Sequence, residues 1–335
     1  LVDMSRVLHA PSVNQAIVAG ALLSGYILVA MPKIVTYPER PLPDFSPFIF
    51  PKLPDWGRML HVKGENMAII DAHAHIYPEK IATRAVEAVG AFYGVGMYDG
   101  GNCDPGTPEA LLACADASPI THFIVHSVAT TPHAVTSIND FIAEQAHAHP
   151  EFIGFGTMHP DFEDKEAEVE RAIELGLHGF KIHPDTQMVD TDDPRLMEFY
   201  EIIAGRLPIT IHTGDYRHDF SHPRRLARVL DAFPTLVVDA AHFGGWSIYD
   251  QGYDYLGKYD NLFIDTSSSQ PLMGDRHTAE LVRMWGVDRV MWGSDHPMWS
   301  PISEYEAFRG LDFTDEEFDA MLWHNAERFA GVQVQ

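Results

Sequence analysis

From Met67 onward, short and nearly continuous apolar runs alternate with longer segments whose apolar positions recur every three or four residues. The first pattern suits strands buried on both faces. The second suits amphipathic helices laid against them, and the alternation points to a parallel sheet. The runs predict strands over Ala68–Asp71, His122–His126, Ile153–Met158, Gly179–His183, Ile209–His212, Leu236–Ala241, Leu262–Asp265 and Val290–Trp292. Helices are predicted over Val135–His149 after Pro132, Glu166–Leu175 before Gly176, Arg224–Phe233 before Pro234, and Ala279–Trp285 before Gly286. Thr314-Asp-Glu-Glu317 reads as a capping box that opens a last helix to about Ala330. Eight strands at this rhythm favour an α/β fold closed into a (β/α)₈ TIM barrel over an open doubly wound sheet.

In such a barrel the working side chains gather at the C-terminal ends of the strands. Here those ends carry His73 and His75, His126, His159, Lys181 and His183, His212, His242, Asp265 and Asp295. A core strand has no packing reason to end repeatedly in His or Asp. In Asp71-Ala-His73-Ala-His75 the period of two puts both imidazoles on one face, where they form half of a metal site. His212, before Thr213-Gly214, is a candidate further ligand, against the alternative of a satisfied buried histidine. Asp295 can bind a metal and accept a proton from bound water. His242 is either another ligand or an acid–base group titrating near neutrality.

Asp71 can hydrogen-bond a ligand imidazole or cap the turn. Lys181 shares a strand face with His183 and remains an ammonium or becomes a carbamate bridging two metals. Tyr77 follows the histidine pair and can line the pocket. His126, His159 and His296 are weaker candidates for supporting roles. Arg217, with Arg224 and Arg225, is either an anion-binding group or part of a solvated loop.

Composition narrows the picture. With 335 residues and 46% hydrophobic content the chain can bury a large core, and residues 67–335 suffice for one barrel. A formal net charge of −25 argues against nucleic acid and against stable association with an anionic membrane, leaving a small-molecule substrate. Cys103 and Cys114 lack zinc-type spacing and read as free thiols of a reducing, cytoplasmic compartment. A homodimer is compatible with all of this. Residues 1–66 differ from the rest, with an apolar run over Ala16–Met31 and a Pro-rich stretch over Lys33–Trp56. They read as a signal or anchor, as an extension packed on the barrel, or as upstream read-through with Met67 as the true start.

These residues resemble the amidohydrolase superfamily, and within it the branch containing aminocarboxymuconate-semialdehyde and γ-resorcylate decarboxylases. The elements that carry the resemblance are Asp71-Ala-His-Ala-His75, Pro208-Ile-Thr-Ile-His-Thr-Gly214, Ala241-His-Phe-Gly-Gly245, Gly293-Ser-Asp-His-Pro297 and Asn325-Ala-Glu-Arg-Phe329. The resemblance implies a distorted barrel of the metal-dependent hydrolase type. It implies one divalent ion, usually zinc and otherwise manganese or iron, on His73, His75, His212 and Asp295, with His242 beside the metal-bound water. It implies either hydrolysis of a small carboxylate-bearing amide, ester or lactone, or non-oxidative decarboxylation of an aromatic or unsaturated acid. Hydrolysis is the first expectation, with Asp295 as proton acceptor and His242 stabilising the oxyanion. Lys181 stands where two-metal members carry a carbamylated lysine; one metal and an unmodified Lys181 are expected.

Overall fold

The computed structural model describes residues 68–93 and 106–334, so residues 1–66 and Cys103 lie outside the described residues. Eight parallel strands follow one another in sequence order: β1 Ile70–His75, β2 His122–His126, β3 Phe152–Thr157, β4 Gly179–Ile182, β5 Ile209–Ile211, β6 Val238–Ala240, β7 Leu262–Asp265 and β8 Val290–Met291. Each pairs in parallel with the next, with one register shift in β1 between Asp71 and Ala74; His75 lies opposite His126 and Thr157 opposite Lys181. The ring closes through the segment after β8. Ala72 N donates to Trp292 O at 2.9 Å, Asp295 N to His73 O at 2.8 Å and His75 N to His296 O at 2.7 Å.

The strands are Ile-, Val- and Phe-rich because both faces are covered. Inside the ring, Ile70, Ala72, Ile124, Phe155 and Met291 pack against Ala326 and Phe329 of the C-terminal helix. Outside it, helices bury one stripe each. The helix Lys165–Glu174 turns Val169 and Ala172 inward and begins at Asp164, whose side chain accepts from Ala167 N. The helix Pro223–Ala232 does the same with Leu226, Val229 and Leu230.

Several elements differ from the sequence reading. β1 runs on through the histidine pair because His75 finds ladder partners on both sides. β3, β4, β5, β6 and β8 end earlier than expected, so His183 and His212 lie one residue past their strands, His242 two and Asp295 four. His242 at φ 61° and Asp295 at φ 63° are left-handed, which turns the chain out of the ladder there. Helices Glu79–Tyr93, Pro108–Asp116, Pro194–Ile203, Tyr249–Leu256 and Pro301–Arg309 add to those expected. The capping box at Thr314 forms as read, but its helix stops at Asp319, passes through a π-helical turn at Ala320–His324 and resumes to Ala330. Within that turn the Met321 carbonyl accepts from Trp292 N at 2.9 Å.

Cys114 is disulfide-bonded, which corrects the reading of free thiols. Two cysteines suffice for one bridge, so their low number does not report a reducing compartment. Among the described residues no helix is long and apolar enough to cross a membrane.

Candidate active site

At the mouth of the barrel a cavity of about 550 Å³ is floored by His73, His75, Lys181, His212, His242 and Asp295. The residues come from five different strand ends, and the left-handed turns described above aim two of them inward. Gly214, at φ 89°, completes the turn after His212. A Cβ there would lie 2.6 Å from the Gly245 backbone, so only glycine lets the two loops meet.

His73, His75 and Asp295 come together on this floor. Asp295 Oδ1 lies 3.5 Å from His73 Nε2 and 3.4 Å from His75 Nε2. A tetrahedral ion with ligands at about 2.1 Å separates them by about 3.4 Å, so these edges fit one. The protonation pattern also fits. Burial, and then the Lys181 ammonium, push the His73 imidazole down to about 4, and burial lowers His75. Burial would raise the Asp295 carboxyl, but the surrounding imidazoles hold it well below the usual range. The donor set is two neutral imidazoles and a carboxylate, all ready for a cation.

Asp265 orients His73. Its Oδ2 accepts from His73 Nδ1 at 2.6 Å, which leaves His73 Nε2 as a lone pair facing the cavity. Its Oδ1 accepts from His242 N and Ser267 N, both at 3.0 Å. Burial opposes this charge as well, but His73 and its hydrogen bond hold the Asp265 carboxyl well below the ordinary value.

His212 joins the group through His242. His212 Nε2 donates to the Gly214 carbonyl at 3.0 Å, and His242 Nδ1 to the Ser267 carbonyl at 2.9 Å. Carbonyls only accept, so each ring spends its N–H on its anchor. His212 Nδ1 and His242 Nε2 then face each other at 3.0 Å as two lone pairs. A shared proton or a cation relieves that contact. The four expected ligands thus line one floor, with His73, His75 and Asp295 converging and His212 one ring away.

Lys181 is fully buried, and its Nζ donates to His73 Nε2 at 3.0 Å. Burial lowers its ammonium to about 8 against the pull of Asp265 and Asp295. His183 stacks on His212 with ring centroids 3.8 Å apart, and its Nε2 meets the Tyr93 hydroxyl at 2.6 Å. Tyr77 stacks parallel to His75 along the cavity wall. Asp71 does not reach a ligand imidazole. It accepts from His73 N at 3.1 Å, Ser294 N at 2.9 Å and Ser294 Oγ at 2.5 Å, capping the turn that carries Asp295.

His159 and Arg217 lie off the cavity lining. His159 Nδ1 accepts from Asp161 N at 3.1 Å and shapes its own loop. Arg217 is engaged by Asp215 through Nε at 3.0 Å and Nη2 at 2.6 Å. Its Nη1 donates to Phe92 O at 2.6 Å, and its guanidinium lies over the Tyr93 ring. Its charge is used internally, pinning the end of helix Glu79–Tyr93, and Arg224 and Arg225 likewise pair with Asp219. The sequence reading passed over Tyr93; the Ser267-Ser-Ser269 run after Asp265, which in sequence could supply cleft hydroxyls or cap a helix, puts the Ser267 hydroxyl on Asp265 and the Ser268 hydroxyl on Asp295. Asp265 stood among the strand ends, and that position was the signal for it.

A family model described as Amidohydrolase matches residues 70–332. No curated protein matches the sequence. Among solved structures, an uncharacterised TIM-barrel protein from Bordetella bronchiseptica is 20% identical with a TM-score of 0.64, over 79% of this chain and 99% of that one. A 5-carboxyvanillate decarboxylase from Novosphingobium aromaticivorans, with manganese and 4-hydroxy-3-methoxy-5-nitrobenzoic acid, is 18% identical with a TM-score of 0.61, over 80% and 97%. A dihydroxybenzoic acid decarboxylase from Polaromonas sp., with manganese and the inhibitor 2-nitroresorcinol, is 16% identical with a TM-score of 0.59, over 79% and 97%. At these identities the likeness establishes a shared TIM-barrel fold.

Proposed function

This chain belongs to the amidohydrolase family, and from that membership we propose that it decarboxylates a small aromatic or unsaturated carboxylic acid without oxidation. The observation that carries the reading is the division of the cavity. Its floor is a cluster of imidazoles, Asp295 and Lys181, and its wall is largely apolar, with Val89, Val128, Ile138 and Phe141 among the lining. Such a wall suits the flat body of an aromatic or unsaturated acid, while the floor suits its carboxylate. The decarboxylase neighbours lend support, since the substrates named for them are aromatic acids.

In this reading His73, His75, His212 and Asp295 hold one divalent ion. When bound, that ion supplies Lewis acidity toward the oxygens of the substrate. Manganese stands beside zinc as the ion to test, since a mixed N/O donor set accepts either and two similar structures contain manganese. Asp265 keeps His73 in the tautomer that faces the ion. Lys181 offers an N–H to the carboxylate. The C–C bond to the carboxylate breaks, CO₂ leaves, and the electron pair stays on carbon. His242, whose Nδ1 is anchored on the Ser267 carbonyl, delivers from Nε2 the proton that this carbon takes up.

Hydrolysis uses the same floor, with Asp295 accepting the proton of water, and it was the first expectation from the sequence. The apolar wall offers an amide or lactone few hydrogen-bond partners, which weighs toward decarboxylation. Metal-loaded protein incubated with hydroxybenzoates and muconates should release CO₂. Turnover of lactones or amides with no CO₂ from any acid would overturn the reading in favour of hydrolysis.

A further inference from the structure

One charged group of the cavity is unused by this chemistry. Helix Glu79–Tyr93 turns Ile81, Arg84, Ala85 and Ala88 toward the pocket, positions three and four apart on one face. Lys181 is spent on the floor against His73, whereas Arg84 is exposed and has no ion-pair or hydrogen-bond partner among the described residues. Every other described arginine has one. Arg171, Arg195, Arg206, Arg217, Arg224, Arg225, Arg228, Arg276, Arg283, Arg289 and Arg309 pair with carboxylates, and Arg328 donates to the Asp288 carbonyl. With 48 acidic against 23 basic residues, an acidic neighbour is the ordinary lot of an arginine in this chain. The exception faces the cavity.

A guanidinium presents a rigid fork of donors that matches a carboxylate two-to-two. The field of a chain at −25 opposes an approaching anion, and a local unpaired cation at the pocket offsets that repulsion. We propose that Arg84 receives a second anionic group of the substrate, remote from the carboxylate that reacts on the histidine floor, so that the site takes a dicarboxylic aromatic or unsaturated acid. The assignment deepens the decarboxylase reading and rests on the same cavity. The ring or double bond lies along Val89, Ile138 and Phe141, with one carboxylate at each end.

The test is calorimetric binding to metal-loaded protein of two probes, 4-hydroxybenzene-1,3-dicarboxylate and 2-hydroxybenzoate, which differ by one carboxylate. The wild type should prefer the dicarboxylate by about tenfold, the scale of one hydrogen-bonded charge pair. Arg84→Met should erase the preference and leave 2-hydroxybenzoate within about twofold of wild type, since Arg84 is exposed and bonds to no other side chain among the described residues. Arg84→Lys should restore part of it, and added salt should shrink it. No preference in the wild type, a preference that survives Arg84→Met, or no binding of either acid overturns the assignment. CO₂ release is measured separately. An Arg84-dependent preference without CO₂ release supports Arg84 and sinks the decarboxylase reading; CO₂ release without that preference does the reverse.

Discussion

Replacing Asp265 with Asn exchanges one carboxylate oxygen for an NH₂ and should weaken metal binding at the proposed ligand set. The carboxylate serves His73 Nδ1 through Oδ2, and His242 N, Ser267 N and the Ser267 hydroxyl through Oδ1. An asparagine can keep its oxygen on the side with three donors. Its NH₂ then faces His73 Nδ1, which must become an acceptor, and the ring proton moves to Nε2. That proton points at Asp295 Oδ1 and at Lys181, where the lone pair for the ion should be. Losing the outer partner of a ligating histidine lowers metal affinity about 10–100-fold, or about 1.4–2.7 kcal/mol. Tautomer reversal puts Asp265→Asn at the upper end. Competition with a chromophoric chelator measures the affinity for zinc and manganese, and a thermal melt checks that the barrel is intact. A folded variant with affinity within about twofold of wild type would refute the argument, because His73 Nε2 would then not be a ligand.

His242→Asn should keep its metal and lose roughly 10²–10⁴-fold in turnover; elemental analysis showing loss of metal would make His242 a ligand. Lys181→Met should bind one ion at least as tightly as wild type, because an ammonium 3.0 Å from His73 Nε2 opposes a cation there, and should raise KM. Loss of metal loading would instead point to a carbamate bridging two ions. Glu304 is pushed up to about 8 by burial, with Asp71 and Asp295 adding repulsion. A raised carboxyl stabilises the fold at low pH, and that contribution is lost as pH rises from its unfolded value through about 8. Glu304→Gln should therefore melt higher than wild type at pH 9 but not at pH 4, by about 2–4 °C for each kcal/mol relieved; parallel pH profiles of the two melting temperatures would refute the assignment.

The barrel was legible because its signals are local. β2 and β7 stand where the apolar runs put them, and the histidine pair of β1 obeys the strand period. β4 and β5 stopped one residue short, before His183 and His212, and the left-handed backbone at His242 and Asp295 is encoded by no run of apolar letters. Helix Glu79–Tyr93 was missed because its buried stripe is Ala82, Val86 and Gly90, small residues that a reading by large apolar side chains passes over. Arg217 looked available because Asp215, Phe92 and Tyr93 reach it only in the fold. Asp71 and Asp265 were both visible beside the ligands, but which one meets an imidazole depends on strand stagger. The last helix kept its capping box and hid its π-helical turn, since the carbonyl at Met321 answers to Trp292 rather than to its own sequence.

The seam between β8 and β1 has a consequence for how the protein is made. Ala72, His73 and His75 are stitched to Trp292, Asp295 and His296, and Asp71 is clasped to Ser294, 223 positions later. At about 5–20 residues per second, the histidine pair waits roughly ten to forty-five seconds on the ribosome before Asp295 exists. Two imidazoles alone hold an ion weakly. Closing so long a loop also requires the intervening strands to be in place. On the proposed ligand set, metal uptake follows the last strand, and an incomplete chain makes a poor scavenger of cellular metal. Ion loading would thus report a finished topology, as a keystone reports a finished arch.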